Sequence, residues 1–262
     1  MDLILLTIGI LAIFGIAFIY SNLGMGGGIL YVPVLFWLTG YSEDLVVPIS
    51  LTLVLANCIT ALYNHQKAKF VDWHLGLILA SGAIFGALIG AWFNLHTGRE
   101  VFLWIFIIVV LAAVIKMLID WMKKCEKTDQ DDDSKLTTGH IALASIGAIV
   151  GGFMCGCLGL GGGVVNVPIL IYILGRGTKN AIGTSFLIMI IATILGLAFY
   201  LYDGVSMDPV YIFTLAPVVL VASFTGSRWG LKKLKGRTVR LLFILVLLIA
   251  TVKVAYDILT IS

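Results

Sequence analysis

Charge is scarce in this 262-residue chain. Asp, Glu, Lys and Arg make up 12% of it and hydrophobic residues 60%, against roughly 25% and 45 to 50% in ordinary soluble domains. A soluble fold could not cover that much apolar surface, so composition excludes one and points to a membrane protein. Cysteine is sparse as well. Cys58, Cys125, Cys155 and Cys157 are too few, and too deep in apolar sequence, for a secreted disulfide scaffold. A formal net charge of +3 gives no sign of a nucleic-acid partner, because basic residues in a membrane protein mainly set orientation. No Gly-x4-Gly-Lys-[Ser/Thr] run occurs, which excludes nucleotide hydrolysis by that route. Nor does a constellation of histidine and carboxylate lie deep in the apolar segments, so no enzyme and no cofactor are expected.

What the chain does have is a succession of apolar stretches. They run over residues 3–20, 29–38, 45–63, 75–95 and 101–122, and again over 141–157, 164–174, 181–202, 209–231 and 239–261. Most approach the roughly 20 residues that cross a bilayer as a helix, whereas the second and seventh are about half that. Met1-Asp2-Leu3 lacks a basic region and a small-residue cleavage site follows nowhere near, so the first segment is expected to be retained in the membrane. Between the fifth and sixth stretches, residues 123–138 carry Asp131-Asp132-Asp133 among lysines without apolar periodicity. This reads as a solvated linker between an N-terminal repeat, 1–122, and a C-terminal repeat, 139–262.

Both short segments follow a glycine cluster. Gly24-Met25-Gly26-Gly27-Gly28 precedes Pro33, and Gly159-Leu160-Gly161-Gly162-Gly163 precedes Pro168, 135 positions later. Ser50 and Ser185 keep the same offset, while Asp72 with Asp208 and Gly98-Arg99 with Gly236-Arg237 drift only to 136 and 138. Lys116 with Asp120 recurs as Lys253 with Asp257, a spacing that puts each pair on one helix face as a structural ion pair. The pattern is an internal duplication.

Charge placement inverts between the halves. The loop at Glu43-Asp44 is acidic and the next, with Lys67 and Lys69, is basic; in the second half Arg176 and Lys179 come first, Asp203 and Asp208 second. The basic loop from Arg228 to Arg240 is the strongest cytoplasmic marker. Counting from it puts the linker inside and both termini outside, in a multi-pass membrane protein. The expected fold is therefore an all-α polytopic membrane protein with two inverted-topology repeats of about five segments each. Segments two and seven would be half-helices or re-entrant pieces. Glycine-interrupted segments at matching positions of two halves point to a central transport site.

The sign of the cargo follows from the donors. Helices starting at Gly27-Gly28 and Gly162-Gly163 would turn free N–H groups and positive dipole ends toward that site, which favours an anion. All fourteen acidic residues fall in loops, in termini or near segment ends, whereas cation and proton carriers usually mark their route with intramembrane ionisable groups. The substrate-binding candidates are therefore Gly24, Gly26, Gly27, Gly28, Gly159, Gly161, Gly162 and Gly163. Ser50, Asn57, Thr184 and Ser185 are neutral donors beside them; the alternative is that such groups bond within their own helix or pack between helices.

These residues resemble a known family. The duplicated Gly-x-Gly-Gly-Gly-x4-Pro motif is similar to that of the TauE/SafE (sulfite exporter) permeases, as are Ser50 through Asn57 and His65 to Val71-Asp72-Trp73, and the run Ala181-Ile182-Gly183-Thr184-Ser185. The resemblance spans essentially the whole chain. It implies a permease that moves sulfite or an organosulfonate such as sulfoacetate across the prokaryotic inner membrane, with the anion and the bilayer as partners. His65, common at that place in the family, would couple protons or attract anions at the inner mouth; otherwise it is an interfacial histidine. Arg99 and Arg237 would funnel anions or anchor helix ends.

The halves differ at one telling place. Cys155-Gly156-Cys157 precedes the second cluster, and no cysteine precedes the first. Thiols there would suit thiosulfate or a soft metal, or serve only as small packing residues, and two thiols alone make no metal site. A channel is a further alternative, with no charged ring or repeated filter sequence behind it.

Overall fold

The computed structural model describes residues 3–98, 100–102, 104–109, 111, 115, 131 and 137–233. Every regular element among them is helical: α1 (Leu3–Tyr20), α2 (Gly28–Thr39), α3 (Glu43–Lys67), α4 (Trp73–His96), α5 (Glu100–Val109), α6 (Thr138–Leu158), α7 (Gly163–Pro168), α8 (Thr178–Tyr202) and α9 (Pro209–Lys233). Of these, α3, α4, α6, α8 and α9 are long and apolar enough to cross a bilayer. Large apolar side chains point outward from the bundle; Phe213 is 79% exposed and Phe85 65%, a surface suited to hydrocarbon.

The observed helices follow the apolar stretches closely and extend several by a turn at the polar ends, as in α3, which runs from Glu43 to Lys67. The seventh stretch differs in kind. After α7 reaches Pro168 the chain widens into a π turn over Ile169–Ile173, so that Leu174 N–H donates to Ile169 O at 3.2 Å and Arg176 N–H to Leu170 O at 2.8 Å. Pro168 has no N–H to close an α bond, and the residues after it pair at the wider π spacing.

Glycine lets the long helices approach backbone to backbone. A Cβ on Gly90 of α4 would lie 2.8 Å from Cys157 N, and one on Gly152 of α6 2.8 Å from Ala83 Cα. Small residues at such interfaces replace the hydrophobic drive that lipid removes. On the other side of the molecule a Cβ on Gly226 of α9 would lie 2.8 Å from Phe18 Cα. Gly226 is 136 positions after Gly90, and Phe18 is 135 before Phe153, whose carbonyl Gly90 faces. In consequence α4 packs on α6 and α8, while α9 packs on α1 and α3. Each bundle takes helices from both halves of the sequence.

Helices α3 and α8, packed on each other, run antiparallel. Tyr41, just before α3, bonds Asp208, which follows α8; Asp72, just after α3, bonds Arg176, which precedes α8. At about 1.5 Å per residue the two contacts lie nearly 40 Å apart, on what we call the Tyr41 face and the Arg176 face. Helix α2 runs back beside α1, bringing Leu38 against Gly9, and the chain after Gly163 runs back beside α6, bringing Asn166 against Gly151 and Ile169 against Gly147. Asp131 lies on the Arg176 face, where its carboxylate accepts from Gly177 N–H at 2.7 Å and Asn180 Nδ2 at 2.6 Å.

Candidate functional site: the glycine junction

Each helix pair turns through its glycine cluster, and six of those glycines occupy the left-handed region. The φ angles are 71°, 73° and 89° at Gly24, Gly26 and Gly27, and 69°, 83° and 74° at Gly159, Gly161 and Gly162. Only glycine takes that conformation without steric cost. Gly27 and Gly162 are the N-caps of α2 and α7. The first intrahelical bonds come from Leu30 and Tyr31 to Gly27 O, and from Val165 and Asn166 to Gly162 O, at 3.0 to 3.1 Å. The amides of Gly28, Ile29, Gly163 and Val164 come before those bonds, at helix ends where N–H groups lack intrahelical acceptors.

The two turns meet. A Cβ on Gly28 would overlap Gly159 O and lie 2.7 Å from Leu160 Cα; one on Gly163 would overlap Gly24 O and lie 2.6 Å from Met25 Cα. Ser50 Oγ donates to Gly159 O at 2.9 Å, and Ser185 Oγ donates to Gly24 O at 2.9 Å. Each serine thus holds the carbonyl of the other half's turn. Between the turns stand Val54 and Met189, themselves 135 positions apart, both of which touch Gly26 and Gly161. Four glycine contacts, two serines and two apolar side chains recur in matched pairs.

The surroundings are less even. Asn57 Nδ2 donates to Gly26 O at 2.8 Å, and its matching position is Ala192. Tyr20, Tyr31 and Cys58 in the first half correspond to Cys155, Asn166 and Thr193 in the second. Cys155 Sγ lies 3.4 Å from Thr193 Oγ1. Cys58 and Cys157 are also free and buried. Tyr31 Oη, Asn57 Oδ1 and Asn166 Oδ1 are buried with no hydrogen-bond partner among the described residues, an unfavourable state unless something supplies one. Among the described residues no group of three or more His, Cys, Asp or Glu is arranged to hold a metal ion.

Not every residue singled out from the sequence reaches the junction. Thr184 accepts from Asp72 N–H at 3.0 Å; although adjacent to Ser185, it ties the α3–α4 turn to α8, since successive helical side chains diverge by about 100°. His65 is buried at the Arg176 end of α3, with Nδ1 2.9 Å from Ala61 O and its ring on Phe186 at 5.4 Å. That bond makes Nδ1 the protonated nitrogen. Arg99, Arg237 and the Lys116/Asp120 and Lys253/Asp257 pairs lie outside the described residues. The sequence reading missed Val54 and Met189. Their offset was available as a signal, but apolar residues in an apolar run carry no other mark.

Comparison with known proteins places the chain among membrane transporters. The profile described as Sulfite exporter TauE/SafE matches residues 9–254. The chain is 26% identical to the probable membrane transporter protein YunE of Bacillus subtilis, covering 97% of each. It is 25% identical to a probable membrane transporter protein of Methanocaldococcus jannaschii, over 88% of this chain and 86% of that one, and 28% identical to one of Xylella fastidiosa, over 82% and 79%. No solved structure gives a significant match.

Proposed function

The chain belongs to the sulfite exporter TauE/SafE family and is a membrane transporter, and on that premise we propose that it moves a small sulfur-containing oxyanion, sulfite or an organosulfonate, by alternating access around the glycine junction. The observation that carries the reading is the meeting of two left-handed glycine turns at the starts of α2 and α7. They bring helix-end amides to the middle of the bundle, where fixed N–H dipoles favour an anion. The family description supplies the sulfur class.

Inverted repeats are supported by the antiparallel run of α3 and α8 and by helix pairs that begin and end on opposite faces. Lys67, Lys69, Arg176 and Lys179 gather on the Arg176 face, and Glu43, Asp44, Asp203 and Asp208 on the other. Under the positive-inside rule this favours the Arg176 face, with the linker, as cytoplasmic. The closed junction is read as an occluded state, and Val54 and Met189 as the side chains that part to admit cargo. A second cargo, thiosulfate, is favoured by the buried Cys155 and Cys157 beside the second turn.

The test is a panel of sulfite, thiosulfate, sulfoacetate, taurine, sulfate and chloride, measured for binding to purified protein and flux in vesicles. Sulfite or sulfoacetate flux that saturates is the expected result. Binding of a cation with none of the anions overturns the reading.

A further inference from the structure

Two contacts at opposite ends of α3 and α8 are built alike. Asp72 is the N-cap of α4: its Oδ1 accepts from Leu75 N–H at 3.0 Å, and its Oδ2 accepts from Arg176 Nη2 at 2.7 Å. Asp208 precedes α9: its Oδ1 accepts from Val210 N–H at 2.9 Å, and its Oδ2 accepts from the Tyr41 hydroxyl at 2.9 Å. In both cases one carboxylate oxygen caps a helix and the other ties that helix to the residue two before α3 or α8. Tyr41 and Arg176 are 135 positions apart, Asp72 and Asp208 136. The position is repeated while the donor is changed.

The contacts are also equidistant from the junction. Val54 stands eleven residues into α3 and Met189 eleven into α8, about 16 Å along each helix. Tyr41–Asp208 and Asp72–Arg176 each join the loop before one of these helices to the cap after the other, so each contact ties one end of the α3–α8 pair. We propose that Asp72–Arg176 and Tyr41–Asp208 are the two gates of the transport cycle, broken in alternation, and that their unequal donors bias the resting protein to open at the Tyr41 face.

The bias follows from chemistry. Arg176 pairs two opposite charges, its side chain 11% exposed and that of Asp72 27%, so solvent screens the pair less than a fully exposed one. Asp131 of the linker adds a second carboxylate 3.6 Å from Arg176 Nη1. At the other face a neutral phenol donates, with its ring edge-on to Tyr211 at 5.8 Å. Hydrogen bonding to Asp208 raises the Tyr41 hydroxyl above the usual phenol range, so it stays a donor throughout the physiological range. Both contacts are charge-assisted through their carboxylates, but the phenol contact has one charged partner where the guanidinium contact has two.

The inference rests on alternating access, and its test avoids cargo altogether. In a Cys125→Ser, Cys157→Ser background, the buried junction thiols Cys58 and Cys155 serve as reporters for a small, membrane-impermeant methanethiosulfonate added to one face of oriented vesicles, without anion substrate. Asp72→Asn keeps a capping side chain and weakens the ion pair; labelling from the Arg176 face should rise roughly tenfold and fall from the Tyr41 face. Tyr41→Phe removes one oxygen, which keeps the test decisive should Asp72→Asn fail to insert; labelling from the Tyr41 face should rise about threefold. Equal acceleration from both faces, or none from either, overturns the gates. Face-specific labelling without flux of any anion in the panel would leave the gates standing and remove the cargo reading, and flux with unchanged labelling would do the reverse.

Discussion

The turn at Gly24 to Gly28 and the turn at Gly159 to Gly163 share a backbone and differ in their surroundings. Both use left-handed glycines, both start a short helix, and each has its carbonyl held by a serine of the other half. Around the first stand Tyr20, Tyr31, Asn57 and Cys58; around the second, at the same offset, Cys155, Asn166, Ala192 and Thr193. The shared part is what lets two chain segments touch. In the proposed transport cycle, the part that diverged is where selectivity between the two ends of the pathway would reside.

The sharpest way to break this comparison is to put a side chain into the shared part. Gly28→Val and Gly163→Val would drive a Cβ into Gly159 O and Gly24 O respectively, and each should abolish vesicle flux. Larger residues at Gly26, Gly27, Gly161 or Gly162 should do the same while the protein still inserts, because left-handed φ adds backbone strain. Losses confined to one copy would show that only one turn serves transport.

Next come the serines. Ser50→Ala and Ser185→Ala each remove one buried hydrogen bond and leave a carbonyl unpaired, a cost of about 1–3 kcal/mol. Thermal unfolding in detergent should show similar shifts for the two. The double variant should fall below their sum or above it by a measurable coupling, since the bonds share one junction.

Asn57→Ala should cost a similar ~1–3 kcal/mol through the lost bond to Gly26 O, and Thr193→Val less, because a thiol is a weak partner at 3.4 Å. Smaller still is Tyr31→Phe. Its hydroxyl has no partner among the described residues, so stability should hold or rise slightly while anion affinity falls if the hydroxyl meets cargo. Unchanged affinity would assign Tyr31 to packing. Cys155→Ser with Cys157→Ser should leave sulfite flux within about twofold and reduce thiosulfate flux selectively, a contrast read directly from the panel.

Much of the fold was legible because its causes are local. Apolar length marked the helices, and α1 begins and ends where the first stretch does. The glycine spacing located both turns, and the N-caps fell on Gly27 and Gly162 as expected. The π turn after Pro168 was not legible, because Pro33 at the same offset continues as an α-helix; the difference lies in how each segment packs. Thr184 and Ser185 together match the place of Ser50 in the first half, whereas the helix turns one toward Asp72 and the other toward Gly24.

By itself the sequence determined that the protein lives in a membrane, that its glycine motif recurs at a fixed offset, and where the chain must leave the helix, since hydropathy and glycine act through the residues that carry them. Only the tertiary structure decided what those features touch. That α4 joins α6 and α9 joins α1, that each serine reaches the other half's carbonyl, and that Tyr41 and Arg176 meet matching carboxylates at opposite ends all depend on backbones more than a hundred residues apart coming within a few ångströms. Close packing, which admits one arrangement of small and large side chains at each interface, selects those partners.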